Sequence, residues 1–279
     1  MNDREEKMMK TRIISAAVAT AVALTLIILG SFFSIVFTIA LSIVSALLCG
    51  EYLSARKLNK NMALFIPGLI FAFLIPLLSM TKIGLIPIFL LVLTFCIISV
   101  VCHKTVKTDD VMFSIAGILI LSVPLAALNI MACKDEAHSA FWILFCLGVP
   151  WLADSTAYFA GNYLGKRKLC PEISPNKTVE GAIGGVIGGT LFALVIGLIF
   201  KLIYGQVTMY YGYLLLVGFI MSVVSIFGDL TFSVIKRSCK IKDFGSIMPG
   251  HGGLLDRFDS VVLCIPIVYI FSQFVFLCV

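Results

Sequence analysis

Apolar runs of about 18 or more residues recur along the whole chain, and that is the length a helix needs to cross a bilayer. Of the 279 residues, 60% are hydrophobic and 13% charged. An ordinary soluble domain carries about 25% charged residues. No soluble fold disposes of so much apolar surface. The expected fold class is therefore all-α, a polytopic integral membrane protein. A β-barrel is excluded, because its strands would be short and would alternate apolar with polar. Here the runs are continuous, as in Leu24–Gly30 and Leu191–Phe200.

Nine spans are predicted, at 13–30, 31–49, 63–80, 83–102, 111–131, 139–161, 180–203, 209–230 and 259–278. The first two share one apolar stretch of 37 residues, too long for one ordinary span, with Gly30-Ser31 as the turn. A charged start followed by an apolar run also suits a signal peptide. No small-x-small cleavage site with a polar start after it is visible, so the run is read as a span. With a cytosolic N-terminus, 18 of the 21 Lys and Arg residues fall on inner segments; only Lys82, Lys134 and Lys201 fall outside. This positive-inside bias places the polar loops 162–179 and 231–258 in the cytosol. The net charge of +6 follows from the same topology. It sets a basic face against anionic headgroups and does not call for nucleic acid. The nine cysteines are scattered and form no C-x-x-C pair, so neither a disulfide framework nor a zinc site is expected.

Against this background the segment Lys236–Asp259, KRSCKIKDFGSIMPGHGGLLDRFD, stands apart. In 24 residues it holds five basic side chains, three carboxylates, one His and four Gly. Pro249-Gly250-His251-Gly252-Gly253 is a turn whose backbone N–H groups can point at an anion. Lys236, Arg237, Lys242 and Arg257 flank it, a set suited to phosphates. The bland alternative, a solvated loop obeying the positive-inside rule, does not explain the carboxylates beside it. Asp256 and Asp259 are spaced i, i+3 and lie on one side of a helix that starts near them. An acidic helix start explains either alone, and the pair less well.

Two carboxylates fall inside spans, Asp154 and Asp229, both near cytosolic helix ends. A charged Asp in hydrocarbon costs a few kcal/mol, so such residues usually face a cavity and serve a function. The alternative is a helix-end Asp reaching for water. Asp229, Asp256 and Asp259 would form an all-oxygen site suited to Mg²⁺. In the other polar loop, Ser174-Pro175-Asn176-Lys177-Thr178 offers hydroxyls and an ammonium to a nucleotide, with Thr178 as a helix N-cap. Gly161–Lys166 is one residue short of a P-loop. Gly181, Gly184, Gly185, Gly188 and Gly189 share one helical face, as close helix–helix packing requires.

The pattern Ser233-x-Ile235-Lys236-Arg237-x4-Lys242-Asp243-x-Gly245-x3-Pro249-x-His251-Gly252-Gly253-x2-Asp256-Arg257-x-Asp259 resembles the signature of the phosphatidate cytidylyltransferases (CDP-diacylglycerol synthases). The stretches around Asp154, Ser174–Glu180 and Gly228-Asp229-Leu230 resemble the same family. Residues 1–130 resemble it only as a pattern of spans. The resemblance divides one membrane domain into an N-terminal transmembrane region, 1–130, and a C-terminal catalytic region, 131–279. Three positions depart from the pattern: Met248 replaces a branched or aromatic residue, Phe232 a frequent Glu, and Asn176 a frequent Lys.

The resemblance implies that CTP and phosphatidate give CDP-diacylglycerol and pyrophosphate, with Mg²⁺, usually a second cation, and a homodimer. It implies Asp229, Asp256 and Asp259 as metal ligands, with Asp154 as a further ligand or a partner for a Lys. Lys236, Arg237, Lys242 and Arg257 would grip phosphates, and Ser174 and Lys177 would meet the nucleotide. His251, with Gly252 and Gly253, would support a phosphate. Two other readings stay open: a CTP-dependent kinase of a lipid alcohol, and an ion-coupled transporter. The transporter reading is disfavoured because the carboxylates gather at one face and no repeat pairs two halves.

Overall fold

The structure is a computed structural model, and it describes residues 34–205, 209–247 and 252–274. Its α-helices are α1 (Ser34–Ala55), α2 (Met62–Leu78), α3 (Ile86–Val101), α4 (Thr108–Lys134), α5 (Ser139–Leu164), α6 (Val179–Tyr204), α7 (Tyr211–Ser238) and α8 (Leu255–Phe274). Two short strands, β1 (Lys168–Cys170) and β2 (Ser174–Thr178), pair antiparallel between α5 and α6. The all-α class holds, with this hairpin as an addition that the sequence reading lacked.

The predicted count of nine spans is not confirmed among the described residues. The first, 13–30, lies outside the described residues. Each of the others falls on a helix, and five helices among the described residues (α1, α4, α5, α6 and α7) are long and apolar enough to cross a membrane. The chain is thus built as a multi-pass membrane protein. Two helix ends differ from expectation. Helix α7 runs on to Ser238, so Lys236 and Arg237 lie in its last turn and not in a loop. Cations suit the negative end of a helix, and long basic stems can carry their charge to water. Helix α8 starts at Leu255, which puts Asp256 in the first turn and Asp259 beyond it.

The helices form two compact units. In the first, α1, α2 and α4 pack on one another and α3 lies on α2. Its polar groups are satisfied internally. Thr38 donates to Asn129 Oδ1 at 2.9 Å, and Asn129 Nδ2 donates to Ser79 Oγ at 3.0 Å. Ile35, Ile39, Ile43 and Leu47 recur every four residues along α1 and are exposed, as a lipid-facing stripe would be. The segment Cys239–Phe258, including the start of α8, belongs to this unit.

The second unit holds α5, the hairpin, α6, α7 and α8 from Asp259 onward. Its tightest packing is α5 on α6, where the glycine face meets α5. A methyl at Gly184 or Gly188 would collide with Ala160 or Thr156, and one at Gly185 would lie 2.9 Å from the Ala153 carbonyl. Gly189 meets both Ala153 of α5 and Ser222 of α7. The expected role of this face, close helix packing, is the one observed. Helix α8 lies along α7, where Gly228 abuts the Asp259 carbonyl and Cys264 Sγ reaches the Met221 carbonyl at 3.3 Å.

Candidate functional site

A cleft of about 530 Å³ opens in the second unit between α5, α6, α7 and the hairpin. Asp154, Asn162, Lys166, Lys168, Lys177 and Asp229 are among its lining residues. The hairpin brings Lys177 there. Thr178 ends β2 and caps α6, accepting from the Gly181 N–H at 3.1 Å. Glu180, in the first turn of α6, accepts from the backbone N–H of Lys166 and Arg167, which ties down the hairpin base. Lys177, one residue before the cap, then reaches across to Asp229 on α7, with Nζ 2.5 Å from Oδ2. Ser233, one turn further along α7, donates to Asp229 Oδ1 at 3.2 Å.

Asp154 on α5 faces the same cleft, within electrostatic reach of Asp229 and Lys177. Its Oδ2 accepts from Ser260 Oγ at 2.7 Å. Ser260 is 1% exposed and follows Asp259, so this bond joins α5 to α8. Asp259 is buried, accepts from the Ser260 N–H at 2.9 Å, and has Lys236 Nζ at 3.7 Å. Arg237 is exposed and its Nε donates to the Ile173 carbonyl at 3.4 Å, touching the hairpin turn. Ser174 stands opposite Cys170 in the hairpin. The second unit therefore gathers Asp154, Ser174, Lys177, Asp229, Lys236, Arg237 and Asp259.

The first unit holds Lys242, Gly252, Gly253, Asp256 and Arg257. Lys242 and Arg257 are exposed. Asp256 Oδ2 accepts from the backbone N–H groups of Phe244 at 2.9 Å and Gly253 at 3.0 Å. Gly252 has φ +85°, in the region that only glycine occupies without strain. His251 and Pro249 lie outside the described residues.

Sequence reasoning missed Glu51. It lies on α1, is 6% exposed, and accepts from the Leu254 N–H at 3.0 Å and the Leu255 N–H at 2.7 Å. The signal was present, since Glu51 is the only charged residue between Arg12 and Arg56. The predicted span ended at 49 and left it to a loop. Phe232, the departure from the expected Glu, is fully buried in the core.

Carboxylate oxygens are the hard donors that Mg²⁺ takes, and it commonly binds through one or two of them plus substrate phosphates and waters. Among the described residues, no three His, Cys, Asp or Glu side chains are grouped to hold a metal by themselves. The donor set fits an ion whose shell a substrate's phosphates complete, and does not fit an all-protein cage. Chemically, the cleft offers two carboxylates, Asp154 and Asp229, and the ammonium groups of Lys166, Lys168 and Lys177, the last of them paired with Asp229.

Residues 10–275 match the model of the cytidylyltransferase family. The phosphatidate cytidylyltransferase of Bacillus subtilis is 38% identical, over 94% of this chain and 96% of its own. That of Staphylococcus epidermidis is 32% identical, over 94% and 98%. That of Staphylococcus aureus is likewise 32% identical, over 94% and 98%.

Proposed function

Because the chain belongs to the cytidylyltransferase family, we propose that it transfers the cytidylyl group of CTP to phosphatidate, giving CDP-diacylglycerol and pyrophosphate. One observation carries the reading beyond family membership. A cleft lined with Lys166, Lys168 and Lys177 beside Asp154 and Asp229 lies among apolar helices. That setting supports a reading in which the substrates are a lipid phosphate and a nucleoside triphosphate.

The nucleophile is a phosphate monoester, which already carries about −1.5 to −2 charge near neutral pH. No strong general base is needed. One of its oxygens attacks the α-phosphorus of CTP, the new P–O bond forms, and the bond to the β-phosphate oxygen breaks to release pyrophosphate. The chain has to hold two anions together and balance the charge on the leaving group. Lys236, Arg237, Lys242 and Arg257 are the proposed grips for phosphates, and Ser174 and Lys177 meet the nucleotide. Asp229, Asp256 and Asp259 are the proposed ligands of Mg²⁺, with Asp154 as a further candidate. No more than two would need to meet one ion, since the triphosphate and water would supply the other ligands. When bound, the cation would neutralise phosphate charge. His251, Gly252 and Gly253 are proposed to support a phosphate. The placement is proposed to be the cell membrane, with the polar loops in the cytosol, on the strength of the 18-to-3 bias of Lys and Arg. A homodimer is proposed from the resemblance.

Purified protein in mixed micelles, given labelled CTP, phosphatidate and Mg²⁺, is expected to form a CDP-lipid and pyrophosphate one for one. Release of CDP with a lipid alcohol as acceptor, and no CDP-lipid from phosphatidate, would overturn the reading.

A further inference from the structure

The start of α8 has an acceptor that comes from far along the chain. The first N–H groups of a helix have no partner within it, and a side chain at the N-cap usually takes them. Here the acceptor is Glu51 on α1, which takes the N–H groups of Leu254 and Leu255, one on each carboxylate oxygen. The fit is close. Gly245 and Gly253 press on the carboxylate, and a Cβ at Gly253 would come within 2.6 Å of Oε2. Asp256 completes the corner from the other side by accepting from Phe244 and Gly253. Two carboxylates thus bind four backbone N–H groups across residues 244–255.

We propose that Glu51 is a positioning residue for the transfer reaction: it fixes the start of α8 and, through it, where Asp256 and Arg257 stand. The inference rests on the reading of Asp256 and Arg257 as site residues. Among the described residues, the hydrogen bonds of Glu51 go to backbone N–H groups, and its side chain is buried against Gly245 and Gly253. A misplacement of about 1 Å can cost about a hundredfold in rate, so a lost anchor registers in kcat.

The test uses the full chain in micelles, with Glu51→Gln and Glu51→Ala. The Gln oxygen can accept from one of the two N–H groups, and Ala from neither. Both variants are expected to purify folded. Hydrogen exchange at the Leu254 and Leu255 amides should quicken in both, about tenfold or more in the Ala variant. Turnover should fall in the same order, about tenfold for Gln and about a hundredfold for Ala, with KM for CTP within about twofold of the parent. Unchanged exchange, unchanged kcat, or a rise in KM alone overturns the proposal. Loss of folded protein in both variants also overturns it, since Glu51 would then serve folding. Asp256→Asn separates the two readings. Full activity there removes Asp256 from the site, whatever the exchange at Leu254 and Leu255 shows.

Discussion

Among the described residues, Glu51 and Asp256 in the first unit differ from Asp154, Asp229 and Asp259 in the second in whether a mobile side chain is among their partners. In the first unit, Glu51 and Asp256 are bound by backbone N–H groups. In the second, Asp229 is met by Lys177 and Ser233, Asp259 by Lys236 as well as the Ser260 N–H, and Asp154 by a serine hydroxyl. A backbone donor cannot leave without unfolding a turn. An ammonium on a flexible stem can leave by rotating a few bonds. The first arrangement fixes geometry and the second can exchange partners. On the proposed function, Lys177 would pass from Asp229 to a phosphate, and Asp229 would be one of the residues that hold the cation. A transfer between two polyanions can use both kinds of hold, one that fixes geometry and one that exchanges partners.

The widest test of this contrast is Asp229→Asn. It removes the charge that Lys177 meets and the oxygen proposed for the cation, with little change in shape. Product formation is expected to fall by about a thousandfold or more, about 4 kcal/mol, with folded yield unchanged. Retained activity, measured as labelled CDP-lipid, would break the assignment of Asp229 to the exchangeable set. Withdrawal of divalent cations with EDTA should likewise stop the parent enzyme, and added Mg²⁺ should restore it.

Gly185→Leu acts on the frame that carries the cleft. The added side chain meets the Ala153 carbonyl and Ala157 Cβ, each at 2.9 Å, so α5 and α6 must part. Overpacking of this kind costs about 1–3 kcal/mol. Folded yield in detergent should drop more than the specific activity of the protein that does fold. The opposite result would make the glycine face part of the substrate site.

Lys177→Gln comes next in size. It keeps length and polarity and removes the charge. The kcat/KM for CTP is expected to fall about 10- to 100-fold, up to about 2.7 kcal/mol, without loss of folded protein. An unchanged kcat/KM would mean that Lys177 only neutralises Asp229 and never meets substrate.

What the sequence revealed follows from the physics of each feature. Lipid demands a long apolar run, so the helices 34–274 could be read from length alone. The stop of α7 could not. Lys236 and Arg237 look like loop residues, yet a helix can carry them in its last turn while their stems run through apolar surroundings. The hairpin was hidden because Ser-Pro-Asn-Lys-Thr has little strand propensity. It forms because β1 and the carboxylate of Glu180 hold it. Asp154 and Asp229 were visible as charges in hydrocarbon. Glu51 is the same signal, obscured by a span drawn two residues too short. Ser260 could not be found, since a serine in a helix carries no mark of the carboxylate it will meet.

The smallest expected effect comes from an ion pair that belongs to neither set. Arg56 Nε lies 2.7 Å from Asp110 Oδ1, with side chains 36% and 22% exposed. The guanidinium also lies over the Phe113 ring, 5.1 Å from its centre. On paper this pair is as good as the one between Lys177 and Asp229. It differs in where it stands, at the end of α1 and the start of α4 in the first unit, and neither residue lines the cleft. A pair this open to solvent on the Arg side contributes about 0–1 kcal/mol, and a cation over a half-buried ring about 0.5–2 kcal/mol. Arg56→Gln should therefore lower the thermal midpoint by a few degrees and leave CDP-lipid formation unchanged. If Arg56→Gln costs as much activity as Lys177→Gln, an Asp paired with a cation is no guide to the site, and the line between fixed and exchangeable carboxylates has to be drawn elsewhere.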